Sequence, residues 1–315
     1  MLNIDSLCRT RMPAARRSRG HVVAFALLIA ALLCTPDTQT PAQDQKPVRP
    51  RIYIATDLEG VAGIYRWQQT RETQATNPEY QEARKLLMAE IDAVIEGCLA
   101  AGAGEIFVRD GHHGGHNAVP ELMNPAAQYI CGFQQGMHPL IGLDNGFDAV
   151  ILLGYHAMAG TADGVLSHTK SSASGRRYFL GDREVGEIAI DALTAGHYGI
   201  PVIMVTGDEA VCRETRNFLG DDIVTVCTKT GYATEYARLV PPVLVRSALR
   251  AAAERAVRSI RSYKPCRWPT PVRGRLAFPN KKFADDYSVK SPETRRIDDL
   301  TFERVFADLI NVTEF

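Results

Sequence analysis

The chain has 315 residues, 45% hydrophobic and 23% charged, with 36 basic side chains against 36 acidic ones. That is globular composition, long enough to bury a substantial core in one or two domains, and it excludes disorder for the bulk of the chain. Removing residues 1–43 takes away five arginines and two aspartates, so the remainder is slightly acidic, which argues against a nucleic-acid binder.

The N-terminal stretch RTRMPAARRSRG is basic and leads into an apolar run from Val22 to Leu33, too short to span a bilayer comfortably. It reads as an export signal to the periplasm or exterior, with an uncleaved anchor as the alternative. Arg16 and Arg17 fit a twin-arginine signal poorly, and Leu33 before Cys34 fits a lipoprotein signal poorly. Residues 1–43 read as signal and leader and 44–50 as flexible leader, since 35–50 are rich in Pro, Gln and Thr with no apolar period. No stable membrane span is expected in the mature chain.

Folding starts near Arg51. RIYIAT reads as a strand and Glu79 to Ala101 as a helix, with Leu86, Leu87, Ile91, Val94, Ile95 and Leu99 near one face and Gly102 ending it. EIFVRD and DAVILLGYH follow as strands, then a helix over Val185 to His197, the strands PVIMVTGDE and DIVTVCTK, and a helix from Pro241 to Ile260. Strands alternating with helices predict an α/β fold, a three-layer sandwich with a mostly parallel central sheet, over 51–265. KPCRWPTPVRG reads as a linker. Residues 266–315 are expected to form a small C-terminal α+β appendage: a strand, an irregular stretch and a final helix from about Asp298. Cys98, Cys131, Cys212, Cys227 and Cys266 show no CxxC pair and are expected as buried thiols, neither a disulfide framework nor a thiolate zinc site.

Ligands in open α/β sheets gather at the carboxyl ends of strands. Here the first strand ends in Asp57 and Glu59, the second in RDGHHGGH with Asp110, His112, His113 and His116, and the third in LGYHAMAG with His156; GVLSHTK with His168 and VGE with Glu187 follow. Taken singly, each has an ordinary structural explanation: a capping acid, a core histidine, a solvated loop. Together they would cost many kcal/mol to desolvate unless cations neutralised them. Nitrogen and carboxylate donors without thiolates favour zinc, with manganese, cobalt or iron also possible. Two apart, Asp57 and Glu59 would share one face of an extended strand, and one carboxylate could bridge two ions. Gly60 would let the chain turn close to them.

DLEG, DGH, LGYHA, SH and VGE, in this order, resemble the M55 metallopeptidases, the D-aminopeptidase DppA family. The similarity runs from about Arg51 to Glu209 and more loosely to the C-terminus. The resemblance implies a di-zinc peptidase, two Zn2+ per subunit, that removes N-terminal D-amino acids from short peptides and assembles into a ring-shaped homo-oligomer. It also implies that Asp57 bridges, that Glu59 and His112 complete one zinc site, that His156 and Glu187 serve the other, and that His168 is catalytic, as nucleophile or by proton transfer. RDGHHGGHN holds more histidines than the family pattern requires, and the tail looks shortened around PNKKFADDYSVKSPE. Asp110 and Asp208 are candidate partners for the substrate's free amino group. The rival readings are a dinuclear-metal hydrolase of another amide or ester, and a non-catalytic metal- or peptide-binding protein; no P-loop and no G-x-S-x-G elbow is present.

Overall fold

The computed structural model describes residues 49–72, 76–134, 140–143 and 146–315. The signal and leader expected over 1–43, and the leader up to residue 48, lie outside the described residues. Among the described residues no helix is long and apolar enough to cross a membrane.

In chain order the elements are β1 (Arg51–Thr56), α1 (Pro78–Ala100), β2 (Glu105–Asp110), β3 (Gln128–Ile130), β4 (Ala149–Tyr155), β5 (Arg177–Leu180), β6 (Arg183–Val185) and α2 (Glu187–His197). They continue with β7 (Val202–Asp208), α3 (Glu209–Leu219), β8 (Val224–Ala233), β9 (Tyr236–Leu239), α4 (Pro242–Arg258), β10 (Val272–Ala277), α5 (Lys281–Asp285), β11 (Arg295–Arg296) and β12 (Thr301–Phe306). α1 begins where the sequence says it must: Asn77 accepts the Glu79 amide and Pro78 occupies the first turn. The α/β expectation holds. A seven-stranded sheet runs β3-β2-β1-β4-β7-β8-β9, and every pairing in it is parallel except β8 with β9.

Strand parity builds the layers. Ile52 and Ile54 of β1 join α1 (Leu87, Ile91, Val94) and α4 (Leu249, Ala253, Ala256) in one buried cluster. Tyr53 and Ala55 meet α2 (Ile188, Ala192, Ala195) and α3 (Ala210, Val211) on the other side. Leu99, expected on the buried face of α1, is instead exposed near the helix end.

A second sheet, order β11-β12-β10-β5-β6, is antiparallel. Strands of the 266–315 segment thus share a sheet with the β5–β6 hairpin. Its core takes Ala189, Ile190 and Leu193 from α2, so α2 is buried between the two sheets. The final helix expected from Asp298 is not formed; Thr301–Phe306 is β12, paired antiparallel with β10. Phe302 and Phe306 are four apart, a spacing that puts both on one face of either a helix or a strand, and pairing with Leu276 and Val272 decides for the strand. The cysteines also divide: Cys98 and Cys212 are buried, but Cys131 and Cys227 are exposed, because one lies just past edge strand β3 and the other alternates outward on β8.

Candidate metal centre

β1 stops at Thr56, so Asp57 and Glu59 do not share the face of an extended strand; they lie on the loop beyond it. What holds that loop is the end of β4. The Asp57 amide donates to Leu153 O at 2.8 Å and the Gly60 amide to Gly154 O at 2.8 Å. A Cβ on Gly60 would lie 2.1 Å from Tyr155 O, and Gly154 itself has φ +76°, so two glycines let backbone lie against backbone. Gly60 therefore serves close approach to β4. His112 follows β2, His156 follows β4, and Glu187 opens α2, which brings the chosen residues to one edge of the sheet.

They converge. His112 Nδ1 lies 2.9 Å from Asp57 Oδ1 and 3.0 Å from Glu59 Oε2, while His156 Nε2 lies 3.3 Å from both Asp57 Oδ2 and Glu187 Oε1. Asp57 thus stands between the two imidazoles with one oxygen toward each. Donor atoms of Asp57, Glu59 and His112 all fall within 4.8 Å of one another, and so do those of His156, His168 and Glu187. The His168 ring stacks on His156 with centroids 3.8 Å apart, and Trp67 meets it edge-on at 5.7 Å.

The remaining ring nitrogens fix the tautomers. His112 Nε2 faces Thr70 O at 2.9 Å, His156 Nδ1 faces Ala157 O at 3.0 Å, and His168 Nδ1 faces Leu166 O at 2.9 Å. A carbonyl only accepts, so each of these nitrogens carries a proton and donates. The opposite nitrogen of each ring is left to the acids or to an ion, the arrangement that orients imidazole ligands in metal sites. Donor chemistry and orientation both fit divalent cations.

Charge tells the same story. Burial and the neighbouring Glu59 push Asp57 up; burial would also raise Glu59, but His112 outweighs it and holds Glu59 low. Burial would lower His156, yet Glu187 lifts it to about 10. His112 is likewise raised against burial by Glu59 and Asp57. Two imidazolium protons therefore occupy the role that cations would take. His168 goes the other way, down to about 4, through burial and its stacked neighbour His156; it is a neutral imidazole at pH 7.

Two acids proposed for the substrate's amino group are engaged elsewhere. Asp110 accepts the Asn117 amide (2.6 Å), Asn117 Nδ2 (2.8 Å) and the Ala118 amide (2.9 Å). Asp208 caps α3 through the Val211 amide (2.8 Å) and accepts from Val165 (2.6 Å). Sequence reading missed Lys170, whose Nζ lies 3.0 Å from Glu187 Oε2 and whose amide donates to Oε1 at 2.7 Å; its place two residues after His168 was the available signal. The extra histidines of RDGHHGGHN stay on the rim: His113 and His116 are exposed and share the carboxylate of Glu72. A cavity of about 600 Å3 along β12, lined by Glu303, Arg304 and Asp308, includes none of the six site residues.

The profile of a peptidase family described as D-aminopeptidase, M55, matches residues 51–315. The chain belongs to the M55 D-aminopeptidase family. It is a metallo-aminopeptidase, a hydrolase. A D-aminopeptidase of Bacillus subtilis (strain 168) is 29% identical over 192 residues, covering 61% of this chain and 68% of that protein. A solved structure superposes with TM-score 0.76 at 25% identity, over 83% of this chain and 93% of its own: the Zn-dependent D-aminopeptidase DppA from Bacillus subtilis, a self-compartmentalizing protease.

One consequence is measurable. The raised imidazoles add stability to the metal-free protein that is complete below the usual 6.5 and, for His156, is lost as pH rises through about 10. At pH 7 both rings are charged, so zinc uptake should release about two protons. Calorimetry in two buffers of different ionisation enthalpy should give apparent enthalpies that differ accordingly; equal values would contradict protonated imidazoles.

Proposed function

We propose that this chain is an exported zinc-dependent aminopeptidase that removes N-terminal D-amino acids from short peptides at a dinuclear centre. The observation that carries the reading is Asp57, placed with one oxygen toward His112 and the other toward His156. One ion would be held by Asp57, Glu59 and His112 Nδ1, the other by Asp57, His156 Nε2 and Glu187. Zinc, when bound there, polarises the scissile carbonyl and acidifies water. The side chains supply the rest. Thr70, Ala157 and Leu166 carbonyls keep the three rings in fixed tautomers. Lys170 balances the charge of Glu187. His168, neutral and with Nδ1 tied to Leu166 O, offers Nε2 to take a proton from the attacking group and return it to the leaving amine, or to attack directly.

His168 also lies within donor distance of His156 and Glu187, so a role as a further ligand is the second reading. Replacement separates the two. Asp57→Ala should lose both ions by elemental analysis and essentially all hydrolysis. His168→Ala should keep two ions and lose about 100-fold or more in kcat; loss of one ion instead would make His168 a ligand. An Asp57→Ala protein with two ions and full turnover would defeat the assignment.

Specificity for the D-configuration is supported by the family description and by the Bacillus relative. Purified protein is expected to cleave D-Ala-D-Ala faster than the L-dipeptide, and to leave a generic phosphate ester intact. A phosphate ester turned over faster than either dipeptide would favour the other-hydrolase reading.

Export is supported by the basic and apolar N-terminal pattern, and self-association by Tyr232, Tyr236, Leu239, Val243 and Leu244, exposed apolar residues on β8, β9 and the start of α4. The structural relative is described as self-compartmentalizing. Expressed in full, the chain should appear outside the cytoplasm with a new N-terminus near residue 44, and elute as a multiple of its monomer mass in light-scattering chromatography. A cytoplasmic, uncleaved monomer would contradict both.

A further inference from the structure

The loop after β1 is irregular, yet every residue from Asp57 to Ala62 is buried. Such backbone lies outside the strand ladder and is shielded from solvent, so its N–H and C=O groups need specific partners. Several amides find theirs nearby: Gly60 on Gly154 O, Val61 on Leu58 O, and Ala62 on Glu90 Oε1 at 2.8 Å. The carbonyls converge on one place. Lys229 Nζ donates to Glu59 O (2.6 Å), Val61 O (2.7 Å) and Ile64 O (2.6 Å), and the adjacent Thr228 hydroxyl donates to Gly60 O (2.6 Å). Lys229 is wholly buried, and its three N–H donors meet three acceptors, so the ammonium is saturated by this loop alone.

Nothing comparable holds the Glu59 side chain. Glu187 is gripped by Lys170 and Asp57 accepts from the Leu58 amide at 2.9 Å. Glu59 Oε2 is buried, and among the described residues its side-chain contact is His112 Nδ1 at 3.0 Å, a group of the same centre and not of the surrounding scaffold. The place of that carboxylate is therefore set by its backbone, and its backbone is set from β8.

We propose that Lys229 is the positioning residue of the Asp57–Glu59–His112 half of the centre: its ammonium fixes the carbonyls of residues 59, 61 and 64 and so presents Glu59 to its ion. The proposal rests on the two-ion reading above. An apolar residue of the same length would leave the buried Glu59 and Ile64 carbonyls without donors and Val61 O with the Ile64 amide alone, and the loop would rearrange to satisfy them. The half built on His156 and Glu187 makes no use of Lys229.

The test is Lys229→Met beside the wild type, each stripped of metal and titrated with Co2+ by visible absorption and with Zn2+ against a competing chelator. The variant should hold one ion with wild-type affinity and the second about 10- to 100-fold more weakly, the range found when residues supporting metal ligands are removed. At limiting zinc kcat should fall with KM for the peptide unchanged within about twofold, and saturating zinc should restore kcat. A merely structural lysine would lower the melting temperature and leave both affinities of the folded protein unchanged; that result overturns the proposal. Should Lys229→Met not fold, Thr228→Val, which removes only the hydroxyl over Gly60 O and Gly207 O, carries the test: selective weakening of one ion supports it and two unchanged affinities overturn it. Wild-type protein that takes up fewer than two ions overturns the dinuclear reading and this proposal together, whereas two equally tight ions in both proteins overturn this proposal alone.

Discussion

Three carboxylates, Asp57, Glu59 and Glu187, are brought within a few ångströms of two buried imidazoles. Like charges at that separation, shielded from water, repel strongly enough to rival a small protein's net stability unless something positive lies among them. Without metal, the positive charge comes from protons on His112 and His156 and from Lys170. Each proton-bearing ring already has its second nitrogen committed to a carbonyl, so under the two-ion reading proposed above, exchanging two protons for two cations would require no reorientation of the rings.

The rest of the fold serves to hold these charges against their tendency to separate. α2 carries Glu187 at its first turn, where the helix dipole favours an anion, and it is buried on one side by the parallel sheet and on the other by the antiparallel one. The small sheet therefore matters to the centre by covering the helix that bears Glu187. The Asp57–Ala62 loop is fixed from two directions, against β4 through Gly60 and Gly154 and from β8 through Thr228 and Lys229. Buried polar networks of this kind gain rigidity from satisfied partners, and the amides of residues 60 to 62 and the carbonyls of residues 59 to 61 find theirs in β4, β8, α1 and the loop itself.

Much of this was legible in the chain. Alternating apolar segments and helical periods gave the three layers, and acids and histidines just past successive strands gave the edge on which they meet. The same rule also selected Asp110 and Asp208, which are bound up in loop and cap hydrogen bonds; position past a strand does not say whether a carboxylate's lone pairs are already occupied. Lys229 was invisible for the opposite reason. It sits inside DIVTVCTK, where a lysine in a strand reads as a solvent-facing residue, and three carbonyls from a loop 165 to 170 residues away, with the nearby acids Asp208 and Glu90, make burial tolerable. The tail failed through ambiguity of period, since Phe302 and Phe306 suit a helix as well as a strand.

By itself, then, the sequence determined which chemistry was available: residue types, order and strand-end placement point to a carboxylate–imidazole metal site, because so many acids are buried together only where positive charge lies among them. Tertiary structure alone decided which oxygen faces which nitrogen, that the two acids after β1 lie on a braced loop and not on a strand face, and which buried lysine braces it. Those matters depend on backbone groups far apart in the chain meeting across the sheet, and no local spacing encodes such meetings.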